Sequence, residues 1–365
     1  MVSAHVLMIS PAFRPRIGGV ERHVERVSER LAARGYPVTV LTPAHAANLP
    51  ALERIGEVNV VRFAPIRLPL STRARRALIT FRCVRAADVV HCHDINTFEE
   101  YYWANRHVLP RRDAFATFHG FGRFPVPPDV PLRQRLVAKR TRGNICIGDF
   151  IAKWYGVTPT FVSYGGVDQH IADCGPLSGP RLSGLRIADS EDQTPDTVFV
   201  GRLALDTGVQ VYVDALDVLK TKHALDLSLH VLGDGPLRAE LERRATERGL
   251  RVTFHGFDPE VLPWVAGARV AFVSGYLGML EAMALGKPVY AAYTHELKRD
   301  YLEMSPFAQF TTIVGSAADL AEALAAAWPP DPDSDAVIAA RAFARQQTWD
   351  RVADTYLALY RTAGL

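Results

Sequence analysis

Residues 6–42 read VLMISPAFRPRIGGVERHVERVSERLAARGYPVTVLT, and this stretch decides the class of fold. The apolar run Val6–Ser10 predicts a short buried strand, and the Pro- and Gly-rich residues 11–19 predict a loop. Apolar side chains then recur at helical spacing: Val20, Val24, Val27 and Leu31. Gly35 is a plausible helix stop, and Pro37–Thr42 follows as a second strand. A strand–helix–strand unit of this kind implies a parallel sheet.

A second run of alternating strands and helices begins near Thr197, which predicts a second domain of the same class. The further strand-like segments are Asp88–His91, Ala114–Phe118, Thr197–Val200, Leu227–Leu232, Val252–His255, Val270–Ser274 and Pro288–Ala292. Helical patterns lie between them at about Gly208–Lys222, Pro236–Arg248 and Met279–Leu285. Cys174–Pro195 is rich in Gly, Pro, Ser and Asp and predicts a linker. We therefore expect an α/β protein of two Rossmann-like, doubly wound parallel-sheet domains that face each other across a cleft.

The composition is that of a globular protein. Of the 365 residues, 48% are hydrophobic and 22% are charged, which excludes a disordered chain. No uninterrupted apolar stretch approaches the roughly 20 residues that span a bilayer, and the first ten residues lack the basic region of a signal peptide. The four cysteines form no CxxC pair, so neither a zinc site nor a disulfide framework is predicted: Cys83, Cys92, Cys146 and Cys174. We expect a cytoplasmic protein.

The net charge of +3 is unevenly distributed. Residues 1–165 hold 24 basic and 12 acidic side chains, whereas residues 166–365 hold 18 basic and 27 acidic ones. The densest basic segment, Arg67–Arg85, holds six arginines: Arg67, Arg73, Arg75, Arg76, Arg82 and Arg85. Such a segment attracts an anionic acceptor or the surface of an anionic membrane, although a solvated Arg-rich surface explains the same pattern. No interleaved aromatic and basic motif is present, so no nucleic-acid partner is expected.

The pair Gly18-Gly19 lies between the first predicted strand and its helix. Two glycines there let the backbone approach a ligand closely and leave the N–H groups of the first helical turn as an anion site. A tight turn without a ligand is the alternative. The spacing is not GxGxxG, so a nicotinamide site is not predicted.

Three polar residues near the ends of predicted elements are candidates for binding a phosphorylated sugar. Arg202 follows Gly201 at a strand end and carries forked donors that suit a diphosphate or a surface ion pair. Glu281 is expected at a helix start, where it accepts hydrogen bonds from hydroxyl pairs such as those of ribose or complements the helix dipole. His119 ends another strand and would donate to a sugar hydroxyl or fill a structural role.

The order and spacing of these motifs are more specific than any one of them, and over nearly its whole length the chain resembles the retaining GT-B glycosyltransferases of family 4. The motifs that carry the resemblance are Gly18-Gly19, His91-Cys92-His93-Asp94, Thr117-Phe118-His119-Gly120, Ile145-Cys146-Ile147-Gly148, Ser163-Tyr164-Gly165-Gly166-Val167-Asp168, Val200-Gly201-Arg202-Leu203, Leu232-Gly233-Asp234-Gly235-Pro236-Leu237, Phe254-His255-Gly256 and Leu280–Val289. The resemblance implies a nucleotide-sugar donor, retention of the anomeric configuration, and neither a metal nor a cofactor beyond that co-substrate. It also implies an acceptor that is a small molecule, a lipid or a glycan.

The resemblance also implies roles for single residues. The donor site would consist of Gly18, Gly19, Arg202, Thr207, Phe257, Leu262, Met279, Leu280 and Glu281. In it, Arg202 would bind the diphosphate, Glu281 would hold the ribose hydroxyls, and the amides of Met279 and Leu280 would lie near phosphate. Apolar residues such as Phe257 and Leu262 would contact the base. His119 would contact the sugar or the transition state, with Arg202 and Glu281 as its catalytic partners, and His93 and Asp94 would lie on the acceptor side.

The same resemblance divides the chain into three parts. Residues 1–170 would form the acceptor domain and residues 171–340 the donor-binding domain. Residues 341–365 would form a terminal helix that returns to the first domain.

The sequence departs from the family pattern at two places. The family has a lysine after its Gly-Arg pair, within a Glu-Lys-Gly triplet, whereas this chain reads Asp206-Thr207-Gly208. Thr207 would still donate to phosphate, and the missing charge would come from one of three cations: Arg16, Lys222 or Lys298. The family also has a glutamate eight residues before the position of Glu281, and here that position is Val273, in a loop that looks shortened.

These departures leave two further interpretations beside an active glycosyltransferase. The first is a non-catalytic subunit that binds a nucleotide-sugar or a glycan on the same fold. The second is another enzyme of this fold, such as a sugar-nucleotide epimerase, with His93, Asp94 and His119 as its acid and base groups. Fold alone does not distinguish them.

Overall fold

The structure is a computed structural model that describes residues 3–63, 70–120, 124–173 and 195–364. The chain divides into two compact units. The first unit comprises residues 1–165 and 349–365, and the second comprises residues 166–348. Apart from Pro195, the predicted linker Cys174–Pro195 lies outside the described residues, as does Arg67 of the basic segment.

The first unit is built on a sheet whose eight described strands run in the order β3-β4-β2-β1-β5-β6-β7-β8. Their bounds are β1 Val6–Ile9, β2 Val38–Pro43, β3 Leu52–Ile55, β4 Val58–Phe63, β5 Val89–His93, β6 Asp113–Phe118, β7 Gly143–Ile147 and β8 Phe161–Ser163. All neighbouring pairs are parallel except β3 and β4, which form an antiparallel edge. Every residue of β1 is 0% exposed, as expected for a strand covered on both faces.

The helices of the first unit surround this sheet. They are α1 Gly19–Ala33, α2 Leu70–Ala86, α3 Asp129–Arg140, α4 Phe150–Tyr155 and, after the second unit, α13 Trp349–Arg361. A π-helical turn spans Thr97–Tyr102. Helix α1 buries the predicted apolar stripe that includes Val24, Val27 and Leu31. Helix α13 packs against α1, so the end of the chain belongs to the first unit.

The second unit contains six described strands in the order β11-β10-β9-β12-β13-β14, all parallel. The strands are β9 Thr197–Val200, β10 Leu229–Leu232, β11 Val252–Gly256, β12 Val270–Phe272, β13 Val289–Ala292 and β14 Thr311–Val314. The helices are α5 Gln169–Asp173, α6 Val209–His223, α7 Arg238–Glu247, α8 Val261–Gly267, α9 Tyr276–Ala284, α10 Glu296–Glu303, α11 Ala317–Ala326 and α12 Asp335–Gln346. Its core lies between the sheet and helices such as α6 and α11, which pack together.

Both sheets reverse their strand order once, which confirms the doubly wound class. In the first sheet the chain changes direction between β1 and β5, and in the second between β9 and β12. Such a switch point opens a crevice at the carboxyl ends of the two strands, where ligands of open α/β sheets bind. The loops that follow β1, β5, β9 and β12 are therefore the places to look for a site.

Two predicted boundaries were wrong near the second switch point. Strand β12 ends at Phe272 instead of Ser274, and the helix expected at Met279–Leu285 begins three residues earlier, at Tyr276. Because β12 is short and α9 starts early, only Val273, Ser274 and Gly275 connect them. This tight connection is the structural form of the shortened loop that the sequence predicted.

Candidate active site

Arg202 lies at the second switch point, two residues after β9 ends at Val200. Its side chain is 71% exposed, and Nη2 lies 2.6 Å from Oδ2 of Asp206 in the next turn of the loop. An exposed guanidinium held by a carboxylate four residues on retains donors that face outward. The position of Arg202 is thus compatible with the diphosphate role that the sequence suggested.

The Gly233-Asp234-Gly235 motif supports the loop that carries Arg202. A Cβ atom on Gly233 would lie 1.9 Å from the Gly201 carbonyl oxygen, and one on Gly235 would lie 2.5 Å from that of Leu203. Leu203 N–H donates to the Asp234 carbonyl at 3.0 Å. Backbone therefore packs directly on backbone here, which explains why both positions are glycine.

Thr207 serves the loop itself. Its hydroxyl oxygen lies 2.7 Å from the carbonyl oxygen of Ala204 and 2.8 Å from that of Arg202. A hydroxyl has a single hydrogen, and a carbonyl oxygen can only accept, so that hydrogen is donated within the loop. In this arrangement the hydroxyl hydrogen of Thr207 is used within the loop, and a contact of Thr207 with phosphate stays a prediction.

Helix α9 begins at the same switch point with Gly275 as its N-cap. Glu281 is the sixth residue of this helix and only 5% exposed, so the expectation that it lies at the helix start was wrong. Met279 N–H already donates to the Gly275 carbonyl at 3.0 Å, and Leu280 lies one residue deeper in the helix. The amides that precede this first intrahelical bond belong instead to Tyr276, Leu277 and Gly278, and they form the positive end of the helix.

The residues predicted to contact the base lie further along the sheet. Phe257 follows β11 and is 60% exposed, and Leu262 is a partly buried residue of α8. Strand β11 lies two strands from β9, a separation of about 10 Å at ordinary strand spacing. That distance is of the order of a nucleoside, but no contact in the structure joins Phe257 to Arg202 among the described residues.

In the first unit, Gly18-Gly19 follows β1 at the first switch point. Gly18 is the extended N-cap of α1, and the Glu21 side chain lies over it, with Arg16 Nε 3.2 Å from the Glu21 carboxylate. A Cβ atom on Gly19 would meet no described atom within 4 Å. Packing within the described chain therefore does not require glycine at position 19, which is the pattern expected where a ligand approaches the backbone.

His93, Asp94 and His119 come together at the carboxyl ends of β5 and β6. His93 Nδ1 lies 2.8 Å from His119 Nε2, and the rings stack with centroids 5.1 Å apart. Asp94 accepts the His119 backbone N–H at 2.8 Å and adopts a left-handed backbone with φ of 69°. The predicted sugar-side and acceptor-side residues of the first unit thus form one cluster.

A buried hydrogen-bonded chain supports this cluster, and the sequence analysis missed it. The hydroxyl oxygen of Tyr356, on α13, lies 2.8 Å from His23 Nε2 and 2.8 Å from Thr117 Oγ1. Thr117 Oγ1 lies 2.7 Å from His91 Nε2, whose Nδ1 lies 3.0 Å from the Tyr360 hydroxyl. The signal in the sequence was the spacing of Tyr356 and Tyr360, which places both hydroxyls on one face of a helix.

Burial determines the charge state of the cluster. Desolvation lowers the pKa of His119 to about 3, and it lowers the pKa of His93 well below its usual value, with His119 adding to that effect. Desolvation also raises the pKa of Asp94 to about 6, which the hydrogen bond from the His119 amide partly offsets. At neutral pH both imidazoles are therefore neutral, and His119 acts as a hydrogen-bonding group instead of a cation.

Comparisons with known protein families account for both units. The model of "Glycosyltransferase Family 4" matches residues 17–170, and the model of "Glycosyl transferases group 1" matches residues 194–328. The chain belongs to glycosyltransferase family 4. Residues 17–170 of this glycosyltransferase include Gly18-Gly19 and the histidine cluster, and residues 194–328 include Arg202 and Glu281.

Individual proteins agree with this assignment. The glycosyltransferase is 27% identical over 325 residues to the GDP-mannose-dependent α-(1-6)-phosphatidylinositol dimannoside mannosyltransferase of Mycobacterium tuberculosis, over 80% of each chain. Its fold matches sucrose-phosphate synthase from Thermosynechococcus elongatus with a TM-score of 0.74, at 19% identity and over 98% and 99% of the two chains. HepE from Anabaena, solved with UDP and glucose, matches with a TM-score of 0.72, at 18% identity and over 99% and 100%. The glycosyltransferase therefore has the GT-B fold.

No helix in the described part of the glycosyltransferase is both long and apolar enough to span a membrane. The basic segment falls largely on α2, where three exposed arginines recur at helical spacing: Arg75, Arg82 and Arg85. Residues at positions i, i+7 and i+10 lie on one face of a helix, so these side chains form one basic face.

Proposed function

We propose that this glycosyltransferase moves a sugar from a nucleotide-diphosphate sugar to a hydroxyl group of its acceptor, with retention of the anomeric configuration and without a metal. The observation that carries the proposal is the exposed Arg202, held at a switch point beside the N-terminal turn of α9. A guanidinium and a helix N-terminus that converge on one crevice suit a diphosphate. The complex of HepE with UDP and glucose supports this donor class.

The proposed donor site assigns one part of the ligand to each element. Arg202 and the first turn of α9 bind the diphosphate, and Glu281 accepts hydrogen bonds from the ribose hydroxyls. Phe257 and Leu262 contact the base. In the first unit taken by itself, the open backbone at Gly19 suits the approach of a phosphate, and the neutral His119 suits a hydrogen bond to a sugar hydroxyl.

In the proposed reaction, the bond between the anomeric carbon and the phosphate oxygen breaks while the acceptor oxygen forms a bond to the same face of that carbon. The acceptor hydroxyl proton passes to the departing phosphate oxygen, so charge and atoms balance. Arg202 and the helix dipole then stabilise the charge that grows on the diphosphate, and such preorganised groups supply most of the electrostatic part of catalysis. The acceptor is a small molecule, a lipid or a glycan.

Thermal unfolding in the presence of nucleoside diphosphates tests the donor site. UDP, GDP, ADP, TDP and CDP are added singly to the wild type, to Glu281→Gln and to the control Glu303→Gln, whose carboxylate is about half exposed on α10. A ligand at about 100 times its dissociation constant stabilises the protein by about 2.7 kcal/mol. We expect one nucleotide to raise the melting temperature of the wild type and of the control, but not that of Glu281→Gln.

A flat response of the folded wild type to all five nucleotides would contradict the proposed donor class. A response that survives in Glu281→Gln would leave the nucleotide site in place but remove Glu281 from it. Release of the nucleoside diphosphate from the matching nucleotide-sugar, measured with candidate acceptors, then separates turnover from binding alone.

We also propose that the basic face of α2 contacts an anionic membrane surface. Each exposed arginine near such a surface contributes about 1 kcal/mol at physiological salt, so three on one face suffice for weak, salt-sensitive binding. Sedimentation with vesicles of phosphatidylserine and phosphatidylcholine is the test, with pure phosphatidylcholine vesicles and an Arg75→Ser/Arg82→Ser variant as controls. Absence of pelleting at low salt would rule out this contact.

A further inference from the structure

The loop after β9 lacks the lysine that the family has at the position of Thr207, and three cations were candidates to replace it. Arg16 belongs to the first unit and is paired with Glu21. Lys222 is the fourteenth residue of α6, a helix that starts next to Thr207, so it lies about 20 Å along the helix from the loop. Lys298 is the third residue of α10, which follows the carboxyl end of β13. Lys298 is therefore the one of these three that the second unit brings to the switch point.

Lys298 contacts the segment that leads into α9. Its Nζ donates to the carbonyl oxygen of Ser274, and the Ser274 hydroxyl donates to the carbonyl oxygen of Thr207 at 2.8 Å. Ser274 thus links the Lys298 ammonium to Thr207, the position at which the family has its lysine. The connection also reaches the N-cap of α9, since Ser274 precedes Gly275.

An aromatic pair holds Lys298 in this position. Nζ lies 4.1 Å from the centroid of the Tyr301 ring, and the Tyr301 hydroxyl accepts the Tyr276 N–H at 2.9 Å. The two tyrosine rings stack with centroids 3.9 Å apart. The cation is therefore placed beside the amides of the first turn of α9, the end of the helix that attracts anions.

The electrostatic surroundings of Lys298 connect it to the diphosphate-binding loop. It is only 5% exposed, and burial lowers its pKa to about 7; Asp206 raises that pKa, and Arg202 lowers it. His295, one turn earlier, also faces the ammonium, and Lys298 contributes to lowering its pKa. Burial is the largest cost of holding this ammonium, Asp206 offsets part of it, and an anion bound next to Nζ offsets more.

We propose that Lys298 binds the donor diphosphate from α10 and so replaces the loop lysine that Thr207 lacks. The inference rests on the proposed function, because it assigns a new contact within the same donor site. The four-carbon stem lets Nζ turn from the Ser274 carbonyl to a phosphate oxygen at the first turn of α9, next to Arg202. Thr207 then stabilises its loop through the contacts of its hydroxyl with the carbonyl oxygens of Arg202 and Ala204, and these contacts require no charge.

Binding of a nucleoside diphosphate and of its monophosphate distinguishes this role from a structural tie. Isothermal titration with the best ligand of the five diphosphates, and with the corresponding monophosphate, compares the wild type with Lys298→Met and Lys298→Arg. The matched control is Lys287→Met, a partly buried lysine that precedes β13 and so lies at the amino end of the strands. We expect Lys298→Met to lose at least about tenfold in affinity for the diphosphate and much less for the monophosphate, with partial recovery in Lys298→Arg.

Each other outcome is decisive. Equal losses for both ligands would make Lys298 a structural tie and overturn the proposal, as would unchanged affinity for the diphosphate. If the wild type binds none of the diphosphates, the proposed function fails, and this inference fails with it.

A measurement on the wild type covers the case in which Lys298→Met does not fold. Titration at pH 8 in two buffers of different ionisation enthalpy counts the protons taken up on binding. A lysine whose pKa in the free protein is about 7 is largely neutral at pH 8, and contact with a diphosphate restores its proton. We expect uptake that approaches one proton with the diphosphate at pH 8, and the absence of uptake at every pH between 7 and 10 would overturn the proposal.

Discussion

Replacement of Gly235 by alanine tests whether the Gly233-Asp234-Gly235 motif positions Arg202. The new Cβ atom would lie 2.5 Å from the Leu203 carbonyl oxygen and 2.8 Å from its carbonyl carbon. These are backbone atoms that cannot rotate away, so the two loops must separate. The hydrogen bonds from Leu203 N–H to Asp234 and from Leu237 N–H to Leu203, both 3.0 Å long, would lengthen as they do so.

The magnitude follows from the cost of overpacking. Inserting a methyl group into a fully packed contact typically costs about 1–3 kcal/mol. For a unit of this size, each kcal/mol lowers the melting temperature by about 2–4 °C, so the expected fall is about 2–12 °C. Because Arg202 lies on the displaced loop, the affinity for nucleoside diphosphate should fall as well.

Gly267→Ala is the matched control for this substitution. Gly267 is the last residue of α8, its φ is not positive, and a Cβ atom there would meet no described atom within 4 Å. Alanine should be neutral or slightly stabilising at such a position. Differential scanning calorimetry of both variants, with and without nucleotide, measures the difference. If Gly235→Ala melts within 1 °C of the wild type and binds nucleotide equally well, the motif does not hold the loop by close packing.

Two further predictions concern Arg202 at the second switch point and His119, which follows β6. Arg202→Met should weaken the binding of nucleoside diphosphate at least about tenfold. The melting temperature without ligand should change little, because the exposed ion pair of Arg202 and Asp206 is worth at most about 1 kcal/mol. A large loss of stability with unchanged binding would contradict this prediction. The pKa of His119 is lowered from 6.5 to about 3 by burial, so its contribution to stability is full above pH 6.5 and is lost as the pH falls toward 3, at up to about 1.4 kcal/mol per pH unit. His119→Gln should therefore flatten the decline of the unfolding free energy between pH 6.5 and 4.5, measured by urea titration. Asp94, whose pKa is raised to about 6, instead adds to the unfolding free energy as the pH falls through this range. An unchanged slope would show that His119 is not buried in its neutral form.

Most of the described strands were located from the sequence because they are short, largely apolar runs. Strand β9 lies at the predicted residues Thr197–Val200, and β1 and β2 lie within one residue of their predicted ends. Five strands were not predicted: β3, β4, β7, β8 and β14. Strands β3 and β14 carry few buried apolar side chains, which explains why the pattern did not reveal them, whereas β4 is largely buried and β7 is fully buried. Strands β3 and β14 are edge strands, which bury less of their surface than central strands, so the apolar pattern that marks a strand is weaker in their sequences.

The candidate site was predictable in its residue types but not in its geometry. The sequence pointed to His93, Asp94 and His119, and the structure brings them together. It did not reveal that Tyr356, more than 230 residues away, supports them through Thr117. Contacts between distant segments depend on how helices pack, and periodicity along one segment does not carry that information.

The two departures from the family pattern have one structural explanation. Val273 is 2% exposed, and a Cβ atom on Gly278 would lie 2.5 Å from its Cγ1, so Val273 packs directly under the first turn of α9. A glutamate at position 273 would be buried away from water and would pay a desolvation free energy that a carboxylate in an open loop avoids. The short connection from β12 to α9 therefore carries the packed Val273 where the family has an acidic loop. The next residue of this connection, Ser274, is the one that Lys298 contacts. With the role proposed for Lys298, both departures meet at the N-terminus of α9, where Val273 packs beneath the first turn and α10 supplies a cation beside it.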